Sequence, residues 1–137
     1  MLPVRRSAAL ASEATMSTSK RIAAAAFATL LAAAPAAAHH GWAWVVDEQS
    51  ELTGTVVSAY YGNPHTHLSI MTDEGVWEVD LAPPGASARA GFVEGIVEPG
   101  DMVTLIGNRS RDNSELRMKA VRVIVGDEVY DVYPDRI

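Results

Sequence analysis

Apolar and polar positions alternate through most of residues 51–133, and the alternation divides this stretch into short strands separated by turn residues. Glu51–Tyr60 is rich in β-branched side chains and reads as the first strand. Gly54 within it marks a bulge or a bend. Gly62, Asn63 and Pro64 form a turn. His65–Thr72 follows, with Thr66, Leu68 and Ile70 on one face and His65, His67, Ser69 and Met71 on the other. The apolar face is the expected core. After the turn Asp73-Glu74-Gly75, a third strand, Val76–Leu81, directs Trp77, Val79 and Leu81 inward and Glu78 and Asp80 outward.

Pro83-Pro84-Gly85 ends this meander, and residues 86–92 are the one short helix expected in the region. Met102–Gly107 reads as a fourth strand, Asn108–Ser114 as a polar loop and Arg117–Val125 as a fifth strand. Gly126-Asp127 signals a two-residue hairpin into a short last strand, Glu128–Tyr133. Three strands, a helix and two strands is the element order of an OB-like barrel. The expected fold is therefore all-β and mainly antiparallel: a small OB-like β-barrel with one short helix between strands 3 and 4. A small open antiparallel sandwich is the alternative.

The first third of the chain is compositionally separate. Lys20-Arg21 precedes a 13-residue apolar run, Ile22–Ala34, and then Pro35-Ala36-Ala37-Ala38. A basic start, a short apolar centre and an A-x-A end make a secretory signal peptide, and the run falls short of the ~20 residues that span a bilayer. Residues 1–38 are thus an N-terminal extension with a signal peptide, starting at Met1 or Met16, and 39–137 a single OB-like domain. The expected location is periplasmic or secreted, with no transmembrane segment in the mature protein.

Cleavage after Ala38 changes the charge. It removes Arg5, Arg6, Lys20 and Arg21 from eleven basic residues and Glu13 from seventeen acidic ones, which leaves seven against sixteen and a net charge of −9. Such a surface suits cations and solubility and argues against nucleic acid as a partner. The absence of cysteine excludes disulfides, thiolate metal sites and c-type haem attachment.

The four histidines fall in two pairs, His39-His40 at the cleavage point and His65-x-His67 after the turn. Two residues apart on one strand, His65 and His67 have Cα atoms ~6.6 Å apart and can converge on one ion. Imidazole suits copper, zinc, nickel or iron. Met71 lies ~13 Å along the strand from His67 and is a surface contact rather than a shared ligand. A cut after Ala38 gives His39 a free amine and an imidazole, which with His65 or His67 make a brace suited to Cu(II). A cut one residue earlier gives Ala38-His39-His40, an amine–amide–imidazole site for Cu(II) or Ni(II). The candidate metal ligands are His39, His40, His65 and His67, with copper favoured and zinc or nickel as alternatives. A simpler account leaves His65 and His67 as turn and surface residues and the first pair as a polar junction, although Trp42 and Trp44 suit a docked terminus.

No nucleophile elbow, phosphate loop or HExxH helix is present, so the chain reads as a non-enzyme. Asp47, Glu78 and Asp80 read as solvated carboxylates rather than general bases. Metal delivery, buffering or sensing is the leading expectation, with a metal ion and a periplasmic protein as partners. A ligand- or protein-interaction module with structural histidines is the alternative, and a mononuclear copper oxidase comes third.

Several pieces together resemble a family of secreted bacterial proteins known only as a domain of unknown function. They are residues 38–44 (Ala-His-His-Gly-Trp-Ala-Trp), Tyr61-Gly62-Asn63-Pro64-His65, Trp77-Glu78-Val79 with Leu81-Ala82-Pro83-Pro84, Pro99-Gly100-Asp101, Ser110-Arg111-Asp112, Met118-Lys119-Ala120 and the Tyr130/Tyr133 end. Val46 departs from the pattern, standing where such proteins carry an aromatic residue. The resemblance implies a small exported β domain and brings no activity with it.

Overall fold

The computed structural model describes residues 41–137. The expected signal peptide over 1–38, and His39 and His40, lie outside the described residues. Six strands form: β1 (Val45–Tyr60), β2 (His67–Thr72), β3 (Gly75–Asp80), β4 (Met102–Ser110), β5 (Arg117–Val125) and β6 (Glu128–Asp131). A helix, α1 (Pro84–Arg89), lies between β3 and β4, and a 3-10 turn covers Pro134–Arg136. The strand order is β3-β2-β1-β4-β5-β6, and a further β3–β5 pairing closes the first five into a ring. The β3–β5 pairing is parallel and the others are antiparallel. This is the expected all-β, mainly antiparallel, OB-like arrangement.

β1 reaches back to Val45, six residues before the expected Glu51 start, because its first half is a partner for β4. It pairs with β4 up to Thr55, where pairing with β2 begins. Gly54 sits beside this hand-over. A Cβ there would meet the Met71 carbonyl oxygen at 2.4 Å and Ile70 Cγ2 at 2.6 Å, so glycine is required for the close approach of the two strands. The slip in β1–β2 register falls between Val56 and Ser58 rather than at Gly54. β4 continues through Asn108–Ser110, which correct the expected loop: Asn108 Nδ2 donates to the Val46 and Asp47 carbonyls at 3.0 and 3.1 Å, and Ser110 pairs with Val45.

Inside the ring, Leu68 and Ile70 from β2, Trp77 and Val79 from β3, Leu105 from β4 and Met118 from β5 are buried. The faces deduced from alternation for β2 and β3 therefore hold. Pro84 starts α1 with a φ already suited to a helix, two residues ahead of the expected start. Beyond the helix, Phe92 is buried and packs against Tyr61 and Tyr130, with ring centroids at 5.9 and 5.5 Å. The predicted Gly126-Asp127 hairpin joins β5 to β6, which ends at Asp131 instead of Tyr133. No helix among the described residues is long and apolar enough to cross a membrane.

Candidate metal centre

The outer face of β2, β3 and β5 carries two rows of polar side chains fixed by register. His67 pairs with Asp80 and Asp80 with Lys119; Ser69 pairs with Glu78 and Glu78 with Arg117. Paired residues point to the same side of a sheet. Strand alternation therefore delivers the polar side chains, and the β3–β5 pairing brings basic residues beside acidic ones.

Asp80 is the centre of this arrangement. Its Oδ1 accepts from His67 Nδ1 at 2.9 Å and lies 3.8 Å from His65 Nδ1. Arg117 Nη2 donates to its Oδ2 at 2.7 Å. Only 3% of the Asp80 side chain is exposed, against the solvated carboxylate expected from the alternation. The outward direction was right, but His67 on one flank and Arg117 and Lys119 on the other remove Asp80 from water. Burial alone would raise the Asp80 carboxyl, but the His67 and Arg117 hydrogen bonds outweigh it and hold the group below the usual carboxylate range.

His65 precedes β2 instead of lying on it, so the two histidines do not share a strand as expected. They nevertheless converge. Donor atoms of His65, His67 and Asp80 lie within 4.8 Å of one another. Two ligands at ~2.1 Å from one ion and ~90–110° apart are themselves ~3.0–3.4 Å apart. The 2.9 and 3.8 Å separations to Asp80 Oδ1 bracket that span. Small side-chain movements would bring the three donors to bonding distance.

His67 has a second carboxylate. Its Nε2 is hydrogen-bonded to Glu78 Oε2, which also accepts from Ser69 Oγ at 3.0 Å. The Asp80 hydrogen bond raises the His67 pKa most strongly; burial opposes it and Glu78 adds to it. His65 Nδ1 has a longer contact, 3.3 Å to the Thr66 carbonyl.

The segment that follows His40 is tied to the same face. Lys119 Nζ donates to the Gly41 carbonyl at 2.8 Å. Trp42 lies against Lys119 at 4.5 Å and Arg136 at 3.7 Å, and meets the Tyr133 ring edge-on at 5.0 Å. Arg117 lies 4.7 Å from the Trp44 ring centroid. Arg111 donates from its backbone to the Trp44 carbonyl at 2.9 Å and from Nε to the Ala43 carbonyl at 3.1 Å. The expected docking of Trp42 and Trp44 is thus present. Burial pushes the Lys119 ammonium pKa down and Asp80 partly restores it.

His65 and His67 are thus brought together. Asp80 was missed as a site residue because its signal in the sequence, a polar position on a half-buried strand, is shared by most solvated carboxylates. Met71 is half exposed and lies four residues along β2 from His67, opposite Val76, as expected for a surface contact.

The chain belongs to a family of unknown function, DUF6152, whose sequence profile matches residues 26–119. No curated protein matches it. Among solved structures, a complex of TiaS with tRNA and ATP is similar at 18% identity and a TM-score of 0.45, over 57% of this chain and 18% of that chain. A tRNA fluorescent labeling enzyme is similar at 17% identity and a TM-score of 0.45, over 59% and 18%. A ZRD-deleted mutant of TiaS in complex with agmatine reaches 18% identity and a TM-score of 0.47, over 62% and 26%. The chain spans only about a fifth to a quarter of these proteins, and the likeness carries no functional argument.

Proposed function

We propose that this member of the DUF6152 family is an exported metal-binding protein that takes a divalent transition metal, with copper favoured, for delivery, buffering or sensing rather than turnover. One observation carries the proposal: donor atoms of His65, just before β2, His67 on β2 and Asp80 on β3 fall within 4.8 Å of one another. Arg117 engages Asp80 Oδ2, which leaves Oδ1 as the donor facing the histidines.

His39 and His40 are the remaining ligands in this reading. Gly41 directly follows them and is bonded to Lys119, the register partner of Asp80. Two residues span at most ~7 Å, so a free amine and imidazole at His39 start within a short reach of Gly41. A nitrogen-rich set with one carboxylate and no thiolate suits Cu(II), which also stands above zinc and nickel in general affinity. Zinc and nickel are the competing ions.

The test begins with the N-terminal residue of the exported protein, by mass spectrometry. Titration with Cu(II), by calorimetry and electron paramagnetic resonance, should give tight one-site binding with nitrogen coupling. His65→Ala/His67→Ala should abolish it. Equal binding by protein and variant would overturn the proposal.

The contacts of His67 favour a second reading. Both of its ring nitrogens already meet carboxylates, a self-sufficient network that fits a protein-interaction module with structural histidines. In that case the double variant would lose stability and no specific copper site.

A further inference from the structure

We infer that His67 meets the ion through Nδ1, and that Glu78 is the positioning residue that holds the proton on Nε2. This rests on the metal-binding reading above and assigns the chemistry within that site.

A neutral imidazole has one N–H and one lone pair on opposite edges of the ring. The edge that takes the metal fixes where the proton stays. The two edges of His67 have unequal surroundings. On the Nδ1 edge stand Asp80 Oδ1 at 2.9 Å and, 3.8 Å from that oxygen, His65 Nδ1. That edge offers three donors, one of them a buried carboxylate. On the Nε2 edge stands Glu78, whose side chain is 48% exposed and which is bonded to Ser69 Oγ. A serine hydroxyl that donates to Glu78 adds no second anionic or imidazole ligand. The ion therefore gains more on the Nδ1 edge, where it replaces the proton between His67 and Asp80.

The Nε2 proton then has one acceptor, Glu78. A carboxylate on the far nitrogen of a ligating histidine fixes its tautomer and ring orientation and raises its basicity. The register explains why two carboxylates can bracket one ring. Asp80 is directly opposite His67 and Glu78 lies two residues away on the same face of β3, in reach as a diagonal neighbour. Ser69 is directly opposite Glu78 and donates to the same oxygen that His67 Nε2 meets, a second anchor for the carboxylate.

The experiment uses the mature protein labelled with 15N-histidine. Long-range 1H–15N correlations identify the protonated and metallated nitrogens of His67 with Zn(II) as a diamagnetic probe. Cu(II) affinity is measured in parallel on the parent, Glu78→Gln and Glu78→Leu. The expected result is a Zn(II)-induced shift at His67 Nδ1 with the proton on Nε2. Cu(II) affinity should fall 10–100-fold in Glu78→Leu and less in Glu78→Gln, whose amide oxygen still accepts from Nε2–H. Thermal melts of the variants separate this effect from unfolding. Metallation at Nε2 overturns the inference and leaves the metal-binding reading standing. Cu(II) affinity unchanged within twofold in folded Glu78→Leu overturns the role of Glu78. Absence of Cu(II) binding by the parent overturns the metal-binding reading itself.

Discussion

Asp80 and Lys119 are direct register partners on the parallel strands β3 and β5, and Lys119 reaches from there to the Gly41 carbonyl at 2.8 Å. This one relationship joins the buried carboxylate of the candidate site to the segment that leads from the two upstream histidines. Lys119 itself is almost fully buried, so its ammonium depends on that carbonyl, on Asp80 and on the Trp42 ring for compensation.

Asp80→Asn should cost about 2–3 kcal/mol of folding stability. It removes the charge that His67 and Arg117 share in a buried position, and breaking one side of a buried ion pair is expensive. The figure is set below the full buried-pair value because His67 and Arg117 are each about a quarter exposed. Urea unfolding of metal-free protein measures it, and a midpoint equal to that of the parent would contradict it. Cu(II) affinity should fall in the same variant.

The metal-free protein should be most stable in mildly acidic solution. His67 is raised in the folded state, so its contribution is complete below the unfolded value of ~6.5 and is lost as pH rises through the folded value. Asp80 is lowered, so its contribution is present above ~3.9 and is lost as pH falls through its folded value. The two together place the best stability between about pH 4 and 6.5. Melting temperatures in chelator on both sides of that range, from about pH 3 to 9, with His67→Gln flattening the alkaline side, provide the check.

Gly54→Ala should destabilise by about 2–3 kcal/mol, opposite in sign to the usual gain at an unconstrained glycine. The added methyl would lie 2.4 Å from a backbone oxygen of β2, which cannot retreat without breaking the strand pairing. Denaturant midpoints of Gly54→Ala and of Gly85→Ala make the comparison. At Gly85 the nearest atom beyond its chain neighbours and the helix backbone is the Arg89 side chain at 3.8 Å, so the cost there should be small.

Trp42→Ala should release the strap over residues 41–44 while the barrel stays folded. It removes contacts with two cations and a tyrosine edge, each worth roughly 0.5–1 kcal/mol. Hydrogen exchange should speed up at the Val45 and Arg111 amides, which bond to the Trp42 and Trp44 carbonyls. Cu(II) affinity should drop as well if the upstream histidines complete the site. Unchanged exchange at both amides would show that the strap is held without Trp42.

The strand count, the position of the helix, the inward faces of β2 and β3 and the pairing of histidines around a turn were all legible in the chain. These follow from local chemistry: two-residue alternation selects a face, and Gly, Pro and Asn select the turns. Motifs spread along the chain also indicated the family. Long-range packing was needed to bury Asp80 and share it between His67 and Arg117, to bring His65 to the site from outside the strand, and to tie Gly41 to Lys119. The Arg117 and Lys119 contacts depend on β5 lying parallel beside β3, a contact between residues about 39 positions apart, and the approach of His65 depends on the segment before β2 pairing with the end of β3. Alternation states which way a side chain points, but what it meets there is set by the neighbouring strand. The same outward position that leaves Glu78 half in water buries Asp80, which is paired in register with both His67 and Lys119 and held by Arg117, while Glu78 meets the exposed edge of His67 and Ser69.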